Sequence, residues 1–448
     1  LSFNQKRLWI IHQQDPLDNS YNMMGIIVMN QQVEVETIKR TADKLIERHE
    51  SLRTGFKEVE GRGVQYVVEK DSISLPPVNT KDISSLEESQ KQNRVKTILA
   101  EFNNRLFHLD EPPPLFRWLL VKAKEDLYIF AYCMHHIVSD GWSMEILEKD
   151  FHYIYNAYLN NSDMDPPQAR ITYKDFARWH NRQLENASGN RVSREFWIRF
   201  LKEELPMLRL PGDFDNPINT TVNRKPGASF RFVISTGIKD ALKQISKRHN
   251  ITLFSLLFSI YNIFLAMVSG QRIVVSSIVN AGRAHPALQE VIGFFVNSVI
   301  FKIEIKEDIE FIDFAHHVQQ SVLEFFTHQN YPLELVLDEV GIAYPEVAVS
   351  FNMLNISSKE TVPLENTASL HTPETQNVKF QLEPYISEYS NGIEIIVSYN
   401  KDRFKPENIE YMMEKYQKLM EFFAIHPHNQ IKDFKETSKR RSFKRKKA

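Results

Sequence analysis

The sequence predicts a mixed α/β fold, α+β or α/β, made of two similar-sized domains. Three observations lead there. Helical and strand periodicities follow one another in both halves of the chain. The 448 residues exceed what one hydrophobic core usually supports. Polar stretches at 160–168 and 181–194 interrupt the pattern between two such runs.

Ile38, Ala42, Leu45, Ile46 and His49 recur at helical spacing, which predicts an amphipathic helix over 35–51. Residues 127–134 are apolar on both alternating sets. Leu127, Ile129, Ala131 and Cys133 face one way, and Tyr128, Phe130, Tyr132 and Met134 the other. Such a strand is buried on both faces and central in its sheet. From Trp142, the residues Ile146, Leu147, Phe151, Ile154, Tyr155 and Tyr158 recur mostly at three and four, the mark of a helix. The domain boundary falls between Asp175 and Asn190, giving an N-terminal domain of 1–180, a C-terminal domain of 181–436 and a basic tail of 437–448. In the second half, 238–248, 253–268 and 412–424 read as helices, and 273–279, 347–353 and 393–399 as strands. Residues 357–377 are polar and aperiodic, a long loop of the kind that is often functional.

Composition excludes several classes. Fourteen glycines are few, and neither G-x-G-x-x-G nor G-x-x-x-x-G-K-[ST] occurs, so no phosphate-cradling loop is expected. Cys133 is the only cysteine, which suits a reducing compartment and rules out an intramolecular disulfide. Net charge is −2; removing the seven Lys and Arg of 439–447 leaves −9 on the rest. That tail reads as a solvated linker or chain end rather than a nucleic-acid arm, because no basic stripe with interleaved aromatics occurs elsewhere. Residues 251–270 hold no charge and are just long enough to span a bilayer. Their Thr252, Ser255, Ser259, Asn262 and Ser269, and the strand that follows, favour a buried core helix. The chain opens Leu-Ser-Phe-Asn, without Met or signal peptide, and reads as part of a longer polypeptide.

The chemistry is expected at 135–141. The central strand runs directly into His135-His136, and Asp140, Gly141 and a helix follow. Adjacent strand residues point to opposite faces, so one histidine can face a cavity while the other is held in the fold. Asp140, on the turn, can accept backbone hydrogen bonds or pair with an Arg. Gly141 allows close approach and a conformation closed to other residues. An imidazole could take a proton from an amine nucleophile, hold the amine, or stabilise a tetrahedral intermediate. Two His and an Asp could ligate zinc. Diverging side chains, the lack of H-E-x-x-H and the single cysteine speak against a metal. No G-x-S-x-G elbow offers a serine nucleophile. His316-His317 lacks the following Asp and sits in a helical polar stretch, so it is assigned to a solvated helix face.

These residues resemble a known family. His-His-Ile-Val-Ser-Asp-Gly-Trp-Ser at 135–143 is similar to the signature of the condensation domains of nonribosomal peptide synthetases. Leu-Ser-Phe-Asn-Gln-Lys-Arg-Leu-Trp at 1–9, Arg-His-Glu-Ser-Leu-Arg-Thr-Gly-Phe at 48–56 and Tyr-Lys-Asp-Phe-Ala-Arg-Trp at 173–179 resemble further motifs in the family's order. So do Asn-Ala-Gly-Arg at 280–283, Ile-Gly-Phe-Phe-Val-Asn at 292–297 and His-Gln-Asn-Tyr-Pro-Leu-Glu at 328–334. The resemblance implies two lobes like chloramphenicol acetyltransferase, set as a V-shaped pseudo-dimer around a tunnel, with floor-loop and latch-like crossovers from the second lobe. It implies that an acceptor's α-amine attacks a donor thioester to form an amide. Each substrate would arrive on the phosphopantetheine arm of a carrier protein from a neighbouring module.

By motif match, His136 is the catalytic histidine, His135 and Asp140 shape the site, and Gly141 lies beside the reacting carbonyl. Arg283 is the implied ion partner of Asp140. Trp142, Ser143, Arg53 and Asn297 are implied to line the tunnel. No intrinsic cofactor, metal, nucleic acid or membrane is implied, and the excised domain is expected to be monomeric and cytoplasmic.

Ser139 to Ser143 resemble the form that joins an L donor to an L acceptor. Two departures leave the donor class open, including a polyketide or fatty acyl donor of a hybrid synthase. Gly-Ile-Ala-Tyr-Pro-Glu stands at 341–346 where an Arg-Asp-x-Ser-Arg-Asn-Pro-like stretch is common, and Val-Lys-Phe-Gln-Leu-Glu at 378–383 lacks a common Asp. The alternatives are a coenzyme A-dependent acyltransferase of the same superfamily, whose plant-type Asp-Phe-Gly-Trp-Gly is absent, an epimerisation domain, and a non-catalytic interaction domain.

Overall fold

A computed structural model describes residues 1–435 apart from 74–78, 163, 165, 186, 204, 215–224, 284, 342–344 and 355–376. The basic tail and nearly all of the loop expected at 357–377 therefore lie outside the described residues. The first half runs α1 (Phe3–Gln14), β1 (Asn22–Met29), α2 (Val35–Arg48), β2 (Thr54–Val59), β3 (Arg62–Val67), β4 (Asn79–Asp82), α3 (Glu88–Asn104), β5 (Phe116–Lys124), β6 (Leu127–His135), α4 (Gly141–Leu159) and α5 (Tyr173–Glu185). The second runs α6 (Ala187–Leu201), β7 (Gly227–Ser235), α7 (Thr236–His249), α8 (Leu253–Ser269), β8 (Ile273–Asn280), β9 (Asn297–Glu304), α9 (Phe311–His328), α10 (Leu333–Val340), β10 (Ser350–Leu354), β11 (Leu382–Tyr389), β12 (Gly392–Asn400) and α11 (Pro406–Ile425).

The strands form two open sheets and one hairpin. The first sheet has the order β1-β6-β5-β4, the second β7-β12-β11-β10-β8-β9, and β2 pairs with β3. In β6 the period-two pattern sorts the side chains cleanly. Tyr128, Phe130, Tyr132 and Met134 join the core beneath α2 and α4, while Ile129, Ala131 and Cys133 join the core beneath α3. The strand is thus a rigid rod clamped on both faces, and its C-terminal end is the platform for His135.

In the second sheet the apolar stretch at 251–270 is α8. Its residues from Ser255 to Leu265 are buried, against α9, α11 and β8. Thr252 caps it, its Oγ1 accepting from Ser255 N at 3.0 Å, and Gly270 ends it in the left-handed region. Among the described residues no single helix is long and apolar enough to cross a membrane.

Three expectations need correction. The helix expected over 35–51 stops at Arg48, and a 3-10 turn, Glu50–Arg53, follows. His49, extended at the break, turns its ring inward to Asp150. Within the stretch at 181–194, expected as a polar break, the described residues lie in α5 and α6, and Phe196, Trp197 and Phe200 of α6 enter the second core. The strand expected over 347–353 begins only at Ser350.

Cys133 is buried between β6 and α3, and burial pushes its thiol up to about 11. The native protein should leave a thiol-specific disulfide reagent unreacted and release one equivalent after unfolding. Rapid reaction of the native protein would contradict the placement of β6.

Candidate active site

At the end of β6 the chain makes a 3-10 turn, His136–Val138, before α4 begins. His136 N donates to Tyr21 O at 2.8 Å, and His135 N to Leu115 O at 3.1 Å. The two imidazoles are then fixed in opposite tautomers. His135 Nδ1 accepts from Ile137 N–H at 3.1 Å, so its proton resides on Nε2. His136 Nδ1 lies 2.7 Å from Ser139 O; a carbonyl can only accept, so Nδ1 carries the proton and Nε2 is left as a bare acceptor. His135 is buried beside Tyr21 and the edge of Phe107. The half-buried His136 ring sits between Tyr21, at 6.4 Å, and Phe294, which meets it edge-on at 4.9 Å. Burial, reinforced by the charge of Lys379, pushes His136 down to about 3. Burial also holds His135 well below the ordinary histidine range, aided by His12 and His136. Both rings are therefore neutral at physiological pH.

Asp140 is the N-cap of α4 and is fully buried. Its Oδ1 accepts from Ser143 N at 2.8 Å, Ser143 Oγ at 2.7 Å and Arg283 Nη2 at 2.9 Å; its Oδ2 accepts from Phe295 N at 3.0 Å. Arg283 is buried too, with Nη1 donating to Leu288 O and Val291 O and its guanidinium 4.1 Å from the centre of the Phe295 ring. Ser143 Oγ accepts from Gly293 N at 3.0 Å. The two halves of the chain are stitched here: Asp140 and Ser143 come from the first half, and Arg283, Gly293 and Phe295 from the second.

Two glycines make this approach feasible. Gly282 holds φ +68°, and a Cβ there would lie 2.0 Å from Phe295 O; a Cβ on Gly293 would lie 2.0 Å from the Tyr173 ring. Tyr173 Oη donates to Phe294 O at 2.7 Å and meets Ser2 Oγ at 2.8 Å. Gln5 Nε2 donates to Ile137 O at 3.0 Å. The sequence stretches 1–9, 135–143, 173–179 and 280–297 thus meet around one turn.

The condensation domain family model matches residues 1–443. The chain belongs to that family. Condensation domains of nonribosomal peptide synthetases form peptide bonds, an acyl transfer to an amine. The chain is 29% identical over 428 residues to gramicidin S synthase 2 of Brevibacillus brevis, covering 94% of this chain and 9% of that protein. It is 29% identical over 442 residues to surfactin synthase subunit 1 of Bacillus subtilis, covering 97% of this chain and 12% of that one. It therefore spans about a tenth of the length of these relatives. The first condensation domain of the calcium-dependent antibiotic synthetase shares its fold at TM-score 0.81 and 14% identity, over 96% of this chain and 98% of that one. The mixed α/β fold, chloramphenicol acetyltransferase-like, is that of condensation domains.

The remaining residues singled out in the sequence occupy varied places. Gly141 is not in the left-handed region; it is the first helical residue of α4, and a Cβ would meet only Leu354 Cδ2, at 3.9 Å. Neither its backbone conformation nor its surroundings require a glycine. Trp142 Nε1 donates to Gln289 O at 2.9 Å, and Ser143 is buried in the Asp140 network rather than lining a space. Arg53 spends its guanidinium on Ile46 O at 3.0 Å and Val68 O at 2.7 Å, bracing the turn after α2. Asn297 donates to Gln329 O at 2.6 Å and lines a cavity of about 460 Å³ together with Asn4, Trp179 and Phe295; His136 is not in its wall. His317 is exposed on α9 and His316 half-buried. Among the described residues no cluster of three metal-ligating side chains occurs. Sequence reasoning missed Tyr21 and Leu354, which no local pattern marks; Lys379 lay within the quoted stretch at 378–383 but was given no role. Phe294 lay within a quoted motif.

Asp140→Ala leaves a buried guanidinium without its counter-charge. Urea unfolding should show a loss of roughly 3–5 kcal/mol, and an unchanged midpoint and slope would mean that the pair holds nothing together. The depressed histidines add a pH dependence. The folded state resists protons that the unfolded chain accepts, so this contribution is intact above about pH 6.5 and lost as pH falls, at up to about 1.4 kcal/mol per pH unit for each ring. Unfolding free energies measured between about pH 6.5 and 4.5 should decline, and His135→Gln should flatten the slope.

Proposed function

We propose that this condensation domain joins an acceptor aminoacyl group to a donor acyl or peptidyl thioester, with both substrates carried on the phosphopantetheine arms of carrier proteins in neighbouring modules. The observation that carries this reading is the unprotonated Nε2 of His136, fixed by the Nδ1–H bond to Ser139 O at the turn that leads into Gly141. The acceptor amine attacks the thioester carbon, a C–N bond forms, the C–S bond breaks, and the amine proton leaves with the departing thiol. A thioester is already activated, so bringing the two reactants together and orienting them supplies most of what the reaction needs. That fits a site with neither a serine elbow nor a second cysteine.

His136 acts in this reading by accepting a hydrogen bond from the attacking amine and aiming it. A ring pushed down to about 3 is a poor reservoir for a full proton, since a general base works best with a pKa near the operating pH. His135 positions the turn, and the Asp140–Arg283 pair is structural. Ser139 to Ser143 support a subtype joining an L donor to an L acceptor. We place the division of the chain at 1–180 and 181–436, with 437–448 as linker. The lone buried Cys133 suits a cytoplasmic setting.

The test loads donor and acceptor carriers with simple aminoacyl groups and follows the acceptor by intact mass. A gain equal to the donor acyl group is expected, and His136→Ala should lower its rate by about 10²-fold with the fold intact, as loss of positioning does. An unchanged rate in that variant would remove His136 from the reaction. No gain with any donor, a polyketide-like acyl group included, would favour an interaction domain. Across about pH 6–8 the rate should show no titration near the ordinary histidine value of about 6.5; a limb there would restore His136 as a proton-carrying base.

A further inference from the structure

Lys379 is a charged side chain at the edge of the His136 site that the proposed reaction does not use. It stands on the short segment that enters β11, and that backbone is pinned on both sides. Asn377 N donates to Asn19 Oδ1 at 3.2 Å, and Asn377 Nδ2 to Asp18 Oδ1 at 3.3 Å. Val378 N donates to Lys225 O at 2.8 Å, and Gln381 N to Ala348 O at 2.8 Å. The half-buried Lys379 therefore projects from a fixed base. Its ammonium lies 4.8 Å from the centre of the Tyr21 ring, and that ring is 6.4 Å from the His136 imidazole. The ammonium is no farther from His136 than those two steps together.

Among the described residues no carboxylate closes on its ammonium. Asp18 and Glu383 are the carboxylates whose fields reach it, yet among the described residues it forms no ion pair. The Asp18 carboxylate is taken up by Ser20 N at 2.9 Å, Ser20 Oγ at 2.7 Å and Asn377. Glu383 is buried and accepts from Asn352 Nδ2 at 2.7 Å. Arg7 of α1 adds further positive charge. The other charges of the site, Asp140 and Arg283, cancel within their own network. A partly desolvated ammonium without a counter-ion is costly, and a carboxylate brought by a ligand removes that cost. The charge of Lys379 is felt at the His136 ring, so a carboxylate on a substrate held there is within its field.

We infer that Lys379 selects, in the condensation proposed for this site and resting on that reading, a substrate whose acyl or aminoacyl side chain carries a carboxylate.

Binding tests this without requiring turnover, so failure of the inference and failure of the condensation reading are seen separately. The donor arm uses the stable pantetheine amides of N-acetyl-aspartate and N-acetyl-asparagine; the acceptor arm uses those of aspartate and asparagine with free amines. Titration calorimetry should show the aspartyl compound bound about tenfold or more tighter than the asparaginyl one in one arm, and that arm names which substrate is acidic. Lys379→Arg should keep the preference, and Lys379→Met, with an unchanged thermal melt, should erase it. If the Met variant does not fold, the Arg variant and a Lys379→Gln variant carry the comparison. Equal binding or no binding of both compounds in both arms, or a preference that survives loss of the charge, would overturn the inference.

Discussion

The site depends on one buried ion pair. Asp140 caps α4 from the first half of the chain, and Arg283 follows the turn after β8 in the second. Their contact is enclosed by Ser143, Phe295 N and the carbonyls of Leu288 and Val291, so almost every polar atom of both groups is used. The Nε of Arg283 is the exception, a buried donor without a partner among the described residues. A buried pair of this kind adds little net stability over an apolar substitute, but losing one member is expensive. Its value is registry. It fixes the start of α4 against the segment 282–295 and thereby sets Phe294 against the His136 ring.

Around that frame the two histidines divide their tasks through hydrogen bonding alone. The turn offers one N–H, of Ile137, and one carbonyl, of Ser139, and each ring takes one of them. The ring that accepts keeps its proton on Nε2; the ring that donates keeps Nε2 as an acceptor. Sequence neighbours of the same type thus end as a strut and a reactive group. Burial keeps both neutral, and Lys379 deepens the effect on His136. The same positive charge that disfavours an imidazolium favours anionic character nearby.

Much of this was legible in the sequence because it is local. The period-two pattern of β6 is visible in 127–134, and the structure sorts those residues into two cores as the pattern requires. The apolar α8 and the helix after Gly141 are likewise visible. Other elements were hidden by weak patterns. In α1 the apolar residues do not form a stripe, although the Ser2–Gln5 capping box was a readable start signal. In β1, Gly25 breaks the run because it lies against the Tyr132 ring, where a Cβ would clash. The surroundings of His136 were the least legible. Tyr21 is hundreds of residues from Leu354 and Lys379, and only the crossing of the second half onto the first brings them together.

The most direct test of the account is nitrogen-15 NMR of the His136 ring, with the His136→Gln spectrum supplying the assignment. The structure predicts a neutral ring at pH 7, protonated on Nδ1 and bare on Nε2, that stays neutral as the pH is lowered to about 5. An imidazolium at pH 7, or a proton on Nε2, would contradict it, because the site would then lack the acceptor on which the proposed chemistry rests.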